Sequence, residues 1–357
     1  MNNSSTRLES FEIDYLRVLN TLVHMTEDRE KWKGTRTGHR SVGGFGHQLH
    51  ISLMHGTLPF LVTKTVHARS VIGENCWFLK GGDNIRELHD YGVTIWDEWA
   101  AADGYLGPVY GRQWRNWIAS DGSRIDQIDK LLWDMENDPY SRSHIVTAWN
   151  PEFVPDRKLA PQTNVNLGKQ ALPPCHMSFQ VHIEDMTKSD RLSKAIEYGV
   201  NLSEILNAYG SVADAVEQST EALDAAGVPK RVLNLRVDQR SADWLLGVPF
   251  NIGGYALIAQ LLCAVIPDLA PGSLVMQFGD FHLYENQVDA AKEHLARFDS
   301  YRKGEHPELR YPKLSLPMAE QWQDLTHRSA AFDFIEPEHI VLTDYRPWGR
   351  IVAPVAV

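Results

Sequence analysis

Residues 238–286 read DQRSADWLLGVPFNIGGYALIAQLLCAVIPDLAPGSLVMQFGDFHLYEN, and the polar residues in this stretch stand where an apolar core would favour something else. Arg240 and Ser241 precede an apolar turn over 246–250, and Asn251 is the lone amide that follows it. A long apolar run over 252–266 predicts a buried helix, and 274–278 predicts a strand that delivers Asp280, His282 and Tyr284. Such a stretch forms a cradle in which the phosphate, base and sugar of a nucleotide could each find a partner.

Around it, the composition sets bounds. A chain of 357 residues that is 43% hydrophobic and 10% aromatic has ample material for a large core. We expect a single domain over 1–357. Residues 185–231, rich in Ser, Ala, Asp, Glu and Lys with helical spacing at Leu192, Ile196 and Val200, read as a helical insertion.

The net charge of -11 argues against general binding to nucleic acid or to an anionic membrane. An anionic small substrate would need a local cluster of arginines instead. Three cysteines (Cys76, Cys175, Cys263) without metal-ligand spacing predict neither a disulfide framework nor a metal site and suit a cytoplasmic protein. The N-terminal residues lack an apolar signal core, and no run of about eighteen apolar residues predicts a membrane span.

Upstream, residues 8–28 have the apolar spacing of a docking helix, and 31–39 form a basic, Gly/Thr-rich loop carrying Arg36. Two strands are expected over 45–53 and 58–65 around a turn at 55–57, then a helix over 70–80 whose apolar face is interrupted by Glu74. Glu74 is either a solvent-facing residue or a buried acid tuned for proton transfer. Trp96 and Trp99 serve equally as core or as walls of a slot for a flat heterocycle.

An amphipathic helix over 124–138 and a strand-like run after Arg142 follow. Cys175 stands behind two prolines, before His176 and an expected strand over 177–183, and is either a buried cysteine or a nucleophile. A strand candidate at 340–342 and an apolar tail over 351–357, of a kind that normally docks, close the chain.

These segments together resemble the folate-dependent thymidylate synthase family, whose close relatives are the pyrimidine nucleotide hydroxymethylases. The motifs carrying the resemblance are RTGHRSVGGFGHQ from Arg36, TIWDEWA from Thr94, LGPVYGRQWR from Leu106, DPYSR from Asp138, LPPCH from Leu172, and the opening stretch. The resemblance implies an α+β fold, a large twisted mixed β-sheet with helices packed on one side. It also implies a homodimer joined sheet to sheet, with dUMP and 5,10-methylenetetrahydrofolate as substrates.

By resemblance, Cys175 is the nucleophile that adds to C6 of the pyrimidine and so makes C5 reactive. Arg36, Arg240 and Ser241, with Arg142 from the other subunit, bind the phosphate. Ser143 stands where a second arginine is usual, and His144 or Arg40 are the expected compensations. Asn251 reads the uracil edge with its C=O and NH2. His282 and Tyr284 hold the sugar, with Gln287 in place of a further histidine.

Glu74, Tyr110 and His176 match the proton-transfer network, with Asn75 and Cys76 replacing a usual apolar pair beside Glu74. Trp96, Trp99, Asp243, Gly247, Phe250 and the terminal Val357 match the folate wall. The implied reaction is reductive methylation of dUMP to dTMP with release of dihydrofolate. The alternative is 5-hydroxymethylation of dUMP with release of tetrahydrofolate, and a weaker one is a retired homologue that regulates by binding nucleotide or RNA.

Overall fold

The computed structural model describes residues 7–35, 37–54, 56–201, 211, 214 and 220–356. Its centre is the opening stretch. The Arg231–Asp243 and Leu269–Tyr284 strands lie side by side in parallel, with Ser241 opposite Asp280 and Asp243 opposite His282. A parallel pair cannot be closed by a tight turn, and the helix Gly247–Val265 makes the crossover.

Around this pair the sheet grows to six strands, in the spatial order Lys33–Gly34, Arg40–Ser52, Leu269–Tyr284, Arg231–Asp243, His176–Asp185 and Ile145–Thr147. All other neighbouring pairs are antiparallel, so the sheet is mixed. The fold is α+β, as the sequence led us to expect.

Alternation along each strand separates two faces. Val42, Leu49, Ile51, Phe179, Val181, Leu235 and Val237 are buried beneath helices, while Gln48, His50, His182 and Arg236 lie exposed on the other face. The Gly247–Val265 helix packs on both parallel strands, and the Ser10–Met25 helix packs on Arg40–Ser52. Length and hydropathy alone would let Gly247–Val265 cross a membrane, but 78% of its apolar window is buried inside the protein.

Several boundaries differ from the expectation. The apolar turn over 246–250 is the start of the Gly247–Val265 helix, entered through Asp243, whose Oδ1 accepts from the N–H groups of Leu245 and Leu246 at 3.1 and 3.0 Å. That contact satisfies donors just ahead of the helix. The strand expected over 274–278 runs from Leu269 to Tyr284, the 45–53 strand from Arg40 to Ser52, and the 340–342 strand lies at Val341–Thr343.

The second strand, over 58–65, does not form. Its backbone donors go elsewhere: Leu58 to the Pro312 carbonyl, Thr65 to the Gly349 carbonyl, and Val62 and Thr63 to the Glu12 carboxylate. A short apolar run buried on all sides has the same sequence signature as a core strand. His55, in the expected turn, lies outside the described residues.

Glu12 is fully buried and accepts from the Val62 and Thr63 N–H groups at 3.0 and 2.8 Å, from the Thr63 hydroxyl at 2.5 Å, and from the Tyr311 hydroxyl at 2.6 Å. An amide at this position would aim its own donors at donors. Glu12→Gln is therefore expected to cost about 3 kcal/mol in denaturant unfolding; a loss below about 1 kcal/mol would contradict this role for the carboxylate.

Between the His176–Asp185 and Arg231–Asp243 strands, the described residues include the helices Lys188–Lys194 and Thr220–Ala225. They bury a small cluster of their own, Leu192, Ala195, Leu223 and Val228. The C-terminal segment over 351–356 docks in part: Ile351 and Ala353 pack against the core, while Val352 is 86% and Val355 56% exposed.

Candidate active site

The carboxyl ends of the two parallel strands deliver Arg240, Ser241, Asp280, His282 and Tyr284 to one place. This is where ligands bind in sheets with parallel strands. The antiparallel neighbour adds the amino end of His176–Asp185, where Gln239 pairs with His176 and the register slips before Ser178. Cys175 sits just ahead of that slip. Together with Arg240, Ser241, His282 and Tyr284 it lines a cavity of about 540 Å³.

Arg240 fastens the cysteine loop to the strand. Its N–H donates to the Cys175 carbonyl at 2.8 Å, and its Nε and Nη2 donate to the carbonyls of Pro174 and Pro173 at 2.8 Å. The guanidinium lies over the Trp149 ring. Arginine carries five N–H donors, so most of its capacity is left for a ligand. Burial pushes the Cys175 thiol up from its ordinary value, Arg240 pulls it down, and Asp243 raises it.

At the same end of the strand pair, the Nδ1–H of His282 donates to Asp280 at 2.8 Å, which holds the Asp280 carboxyl below its usual range. The pairing fixes the imidazole and turns its other nitrogen away from Asp280.

A second, smaller void of about 10 Å³ is lined by Glu74, Asn75, His176, Phe250, Asn251 and Tyr255. That is space for about one water among polar groups. Burial raises the Glu74 carboxyl to about 7, opposed by the Trp96 indole, whose Nε1 donates to Oε1 at 2.7 Å. His176 is driven by burial to about 3 and is a neutral ring at physiological pH, in contact with the Tyr255 hydroxyl at 2.7 Å through Nδ1.

The two cavities are linked through side chains. The Tyr110 hydroxyl accepts the Cys175 N–H at 2.8 Å while its ring stacks on His176 at 4.1 Å. Gln239 donates from Nε2 to the Ser241 carbonyl and to Asn251 Oδ1, each at 3.0 Å. A backbone carbonyl can only accept, so Gln239 must present its NH2 there. The Asn251 oxygen is therefore the atom facing Gln239, and the amide orientation follows from its neighbours.

Trp96 and Trp99 meet edge to face at 5.7 Å, and Phe250 is partly buried nearby at the smaller void. Asp243 Oδ2 accepts from Gln287 Nε2 at 2.8 Å, and Gln287 is fully buried. Gly247 has room for a Cβ, 3.6 Å from Asp243 and 3.8 Å from Asn251. Arg142 is exposed and does not line the cavity of its own chain. Arg36 and Val357 lie outside the described residues.

Neither expected compensation for Ser143 reaches the cavity. His144 is 0% exposed, folded into the core behind Ser143, and Arg40 spends its guanidinium on Glu285 and lies over Trp32. Both placements follow from local packing that residue type alone does not reveal.

Gln239, Tyr255 and Lys64 escaped the sequence reading. Tyr255 had a signal, since it follows Asn251 by four positions and shares its helix face. Gln239 alternates with Arg240 along the strand and faces the helices instead of the cavity. Lys64, lowered by burial to about 8 with Asp243 pulling it back up, donates to the Leu245 carbonyl beneath the site.

A family model described as thymidylate synthase matches residues 14–357, nearly the whole chain.

Proposed function

The chain belongs to the thymidylate synthase family, and from that premise we propose that it methylates dUMP at C5 reductively, giving dTMP and dihydrofolate. The observation that carries the reading is Cys175 in a cavity shared with Arg240, Ser241, His282 and Tyr284, backed by a buried acid, Glu74, on the other side of His176.

Uracil C5 is a poor nucleophile until the ring is saturated at C6. Attack by the Cys175 thiolate on C6 does this, and Arg240 favours the thiolate against the burial that opposes it. Arg240 and Ser241 take the phosphate, and His282 and Tyr284 the sugar. Asn251 Oδ1 keeps a lone pair for the uracil N3–H beside the Gln239 donor, and its NH2 serves O4.

Glu74, titrating near neutrality, gives and takes protons at O4 across the small void. His176 cannot act as a cationic acid, because burial keeps it neutral.

The family uses 5,10-methylenetetrahydrofolate, which supplies the one-carbon unit and the reducing hydride. The residues present suit such a group. Trp96, Trp99 and Phe250 offer aromatic surface for a flat pterin. Asp243, held on both oxygens by Gln287 and by backbone N–H groups, is a fixed acceptor.

The working unit in this reading is a cytoplasmic homodimer. The exposed sheet face, flanked by Phe45, which is 87% exposed, would be covered by a second copy that lends Arg142. The three cysteines are unpaired, which suits a reducing compartment.

A second reading, 5-hydroxymethylation of dUMP, is favoured by Asn75, whose amide adds polarity to the void beside Glu74. Incubation with dUMP and methylenetetrahydrofolate separates the two. Methylated nucleotide with dihydrofolate absorbance is the expected result; hydroxymethylated nucleotide without dihydrofolate would replace the first reading with the second. No turnover would favour a binding regulator.

A further inference from the structure

Resting on the reading of the cavity as a dUMP site, Ser143 in place of the usual second arginine leaves the phosphate one cation short of the family pattern. A phosphate monoester carries about -1.5 to -2 at neutral pH; of the expected ligands, Arg240 contributes one positive charge and Ser241 none, Arg36 lies outside the described residues, and Arg142 would come from a second copy. Lys33 also lines the cavity, but it interacts with the Asp280 carboxylate. Ser143 is neutral, and His144 and Arg40 are turned elsewhere.

Arg157 lines the same cavity as Cys175, Arg240 and Ser241. It comes from the segment over 151–173, between the Ile145–Thr147 strand and the cysteine loop. Its backbone neighbours are pinned. Asn164, buried, accepts the Asp156 N–H at 2.8 Å and donates to the Asp156 carbonyl at 3.0 Å, and Asp156 Oδ1 accepts from the Lys158 N–H at 2.9 Å.

The guanidinium itself is exposed and has no ion-pair partner among the described residues. Arg115, Arg191, Arg236, Arg297 and Arg310 all pair with carboxylates. In a chain of net charge -11, an unpaired arginine held at a cavity wall on a braced loop is well placed to meet an anion.

We propose that Arg157 is a substrate-binding residue that donates a charge-assisted contact to the 5'-phosphate of dUMP from the same chain that carries Cys175. Planar, bidentate donors suit phosphate oxygens. Arg157 then joins Arg36, Arg240 and Ser241 of the same chain, with less of the charge required from the other subunit.

The test is calorimetric binding of dUMP and of deoxyuridine, which lacks the phosphate, to the full-length protein and to Arg157→Gln and Arg157→Lys. Arg157→Gln is expected to weaken dUMP about tenfold, leave deoxyuridine unchanged and flatten the salt dependence of dUMP binding, with Arg157→Lys recovering part of the loss. Equal dUMP affinity in wild type and Arg157→Gln overturns the assignment of Arg157 alone, as does an equal loss for both ligands. A wild-type protein that binds no dUMP overturns the functional reading and this proposal with it.

Discussion

Cys175→Ser is expected to abolish turnover, with a loss on the order of 10⁴-fold or more, while dUMP still binds. A serine hydroxyl stays protonated at neutral pH and lacks the intrinsic nucleophilicity of sulfur, so C6 is no longer attacked. The binding groups do not depend on the sulfur. Arg240 is held by the carbonyls of Pro173 and Pro174 and bonds the residue 175 carbonyl through its own N–H, and Tyr110 accepts the residue 175 N–H. All of these contacts are to backbone that a serine retains. Steady-state assays together with calorimetry check both halves; activity near that of wild type would remove Cys175 from the mechanism.

The second large effect is at Glu74. Replacing it by Gln removes the only carboxyl that lines the small void among the described residues and is expected to slow turnover by about 10²–10⁴-fold. The pH dependence gives the sharper signature. With a carboxyl raised to about 7, the acid form dominates below neutrality and disappears as pH rises through that value. If the acid form is required, the wild-type rate declines on the alkaline side of neutrality, and Glu74→Gln loses that limb while running at its low rate throughout. A variant whose pH profile keeps the same limb would assign it to another group.

The same shift has a consequence for stability. The folded pKa lies above the unfolded value of 4.5, so the native state holds the proton more tightly. The stabilisation from the buried acid is fully present below 4.5 and is lost as pH climbs through about 7, where burial opposes the charge. Glu74→Gln, which cannot ionise, should therefore gain in melting temperature over wild type as pH rises across that window. A difference that stays constant with pH would contradict the burial that is taken to raise this carboxyl.

Much of the fold could be read from residue pattern. The apolar run after Asn251 reads as a buried helix and 274–278 as a strand, whereas the Arg231–Asp243 strand ahead of them, and with it the parallel pair, emerged only in the structure. The 58–65 segment misled because burial on all sides removes the alternation that distinguishes a strand from an irregular core segment. Its hydrogen bonds are decided by Glu12, about fifty positions earlier, and by chain segments near the C-terminus. No local window contains them.

The candidate site divides in the same way. The polar interruptions of the apolar pattern singled out Arg240, Ser241, Asn251, His282 and Tyr284 as candidates, and the family resemblance added the nucleophile role at Cys175, which pattern alone left open. The orientation of Asn251 required Gln239, and the anchoring of Asp243 required Gln287, both of which are buried amides whose partners lie in other segments. The arginine unpaired at the cavity, Arg157, could not be distinguished from solvent-facing arginines by sequence.

By itself, the sequence determined the family, and through it the fold class and the candidate residues for a nucleotide, because chemically specific motifs are local properties of the chain. Tertiary structure alone decided which charges are free and which are spent, the tautomers and amide orientations, and the raised pKa of Glu74. Those depend on burial and on hydrogen-bond partners brought together from distant segments, and electrostatic strength in a folded protein is set by that surrounding medium.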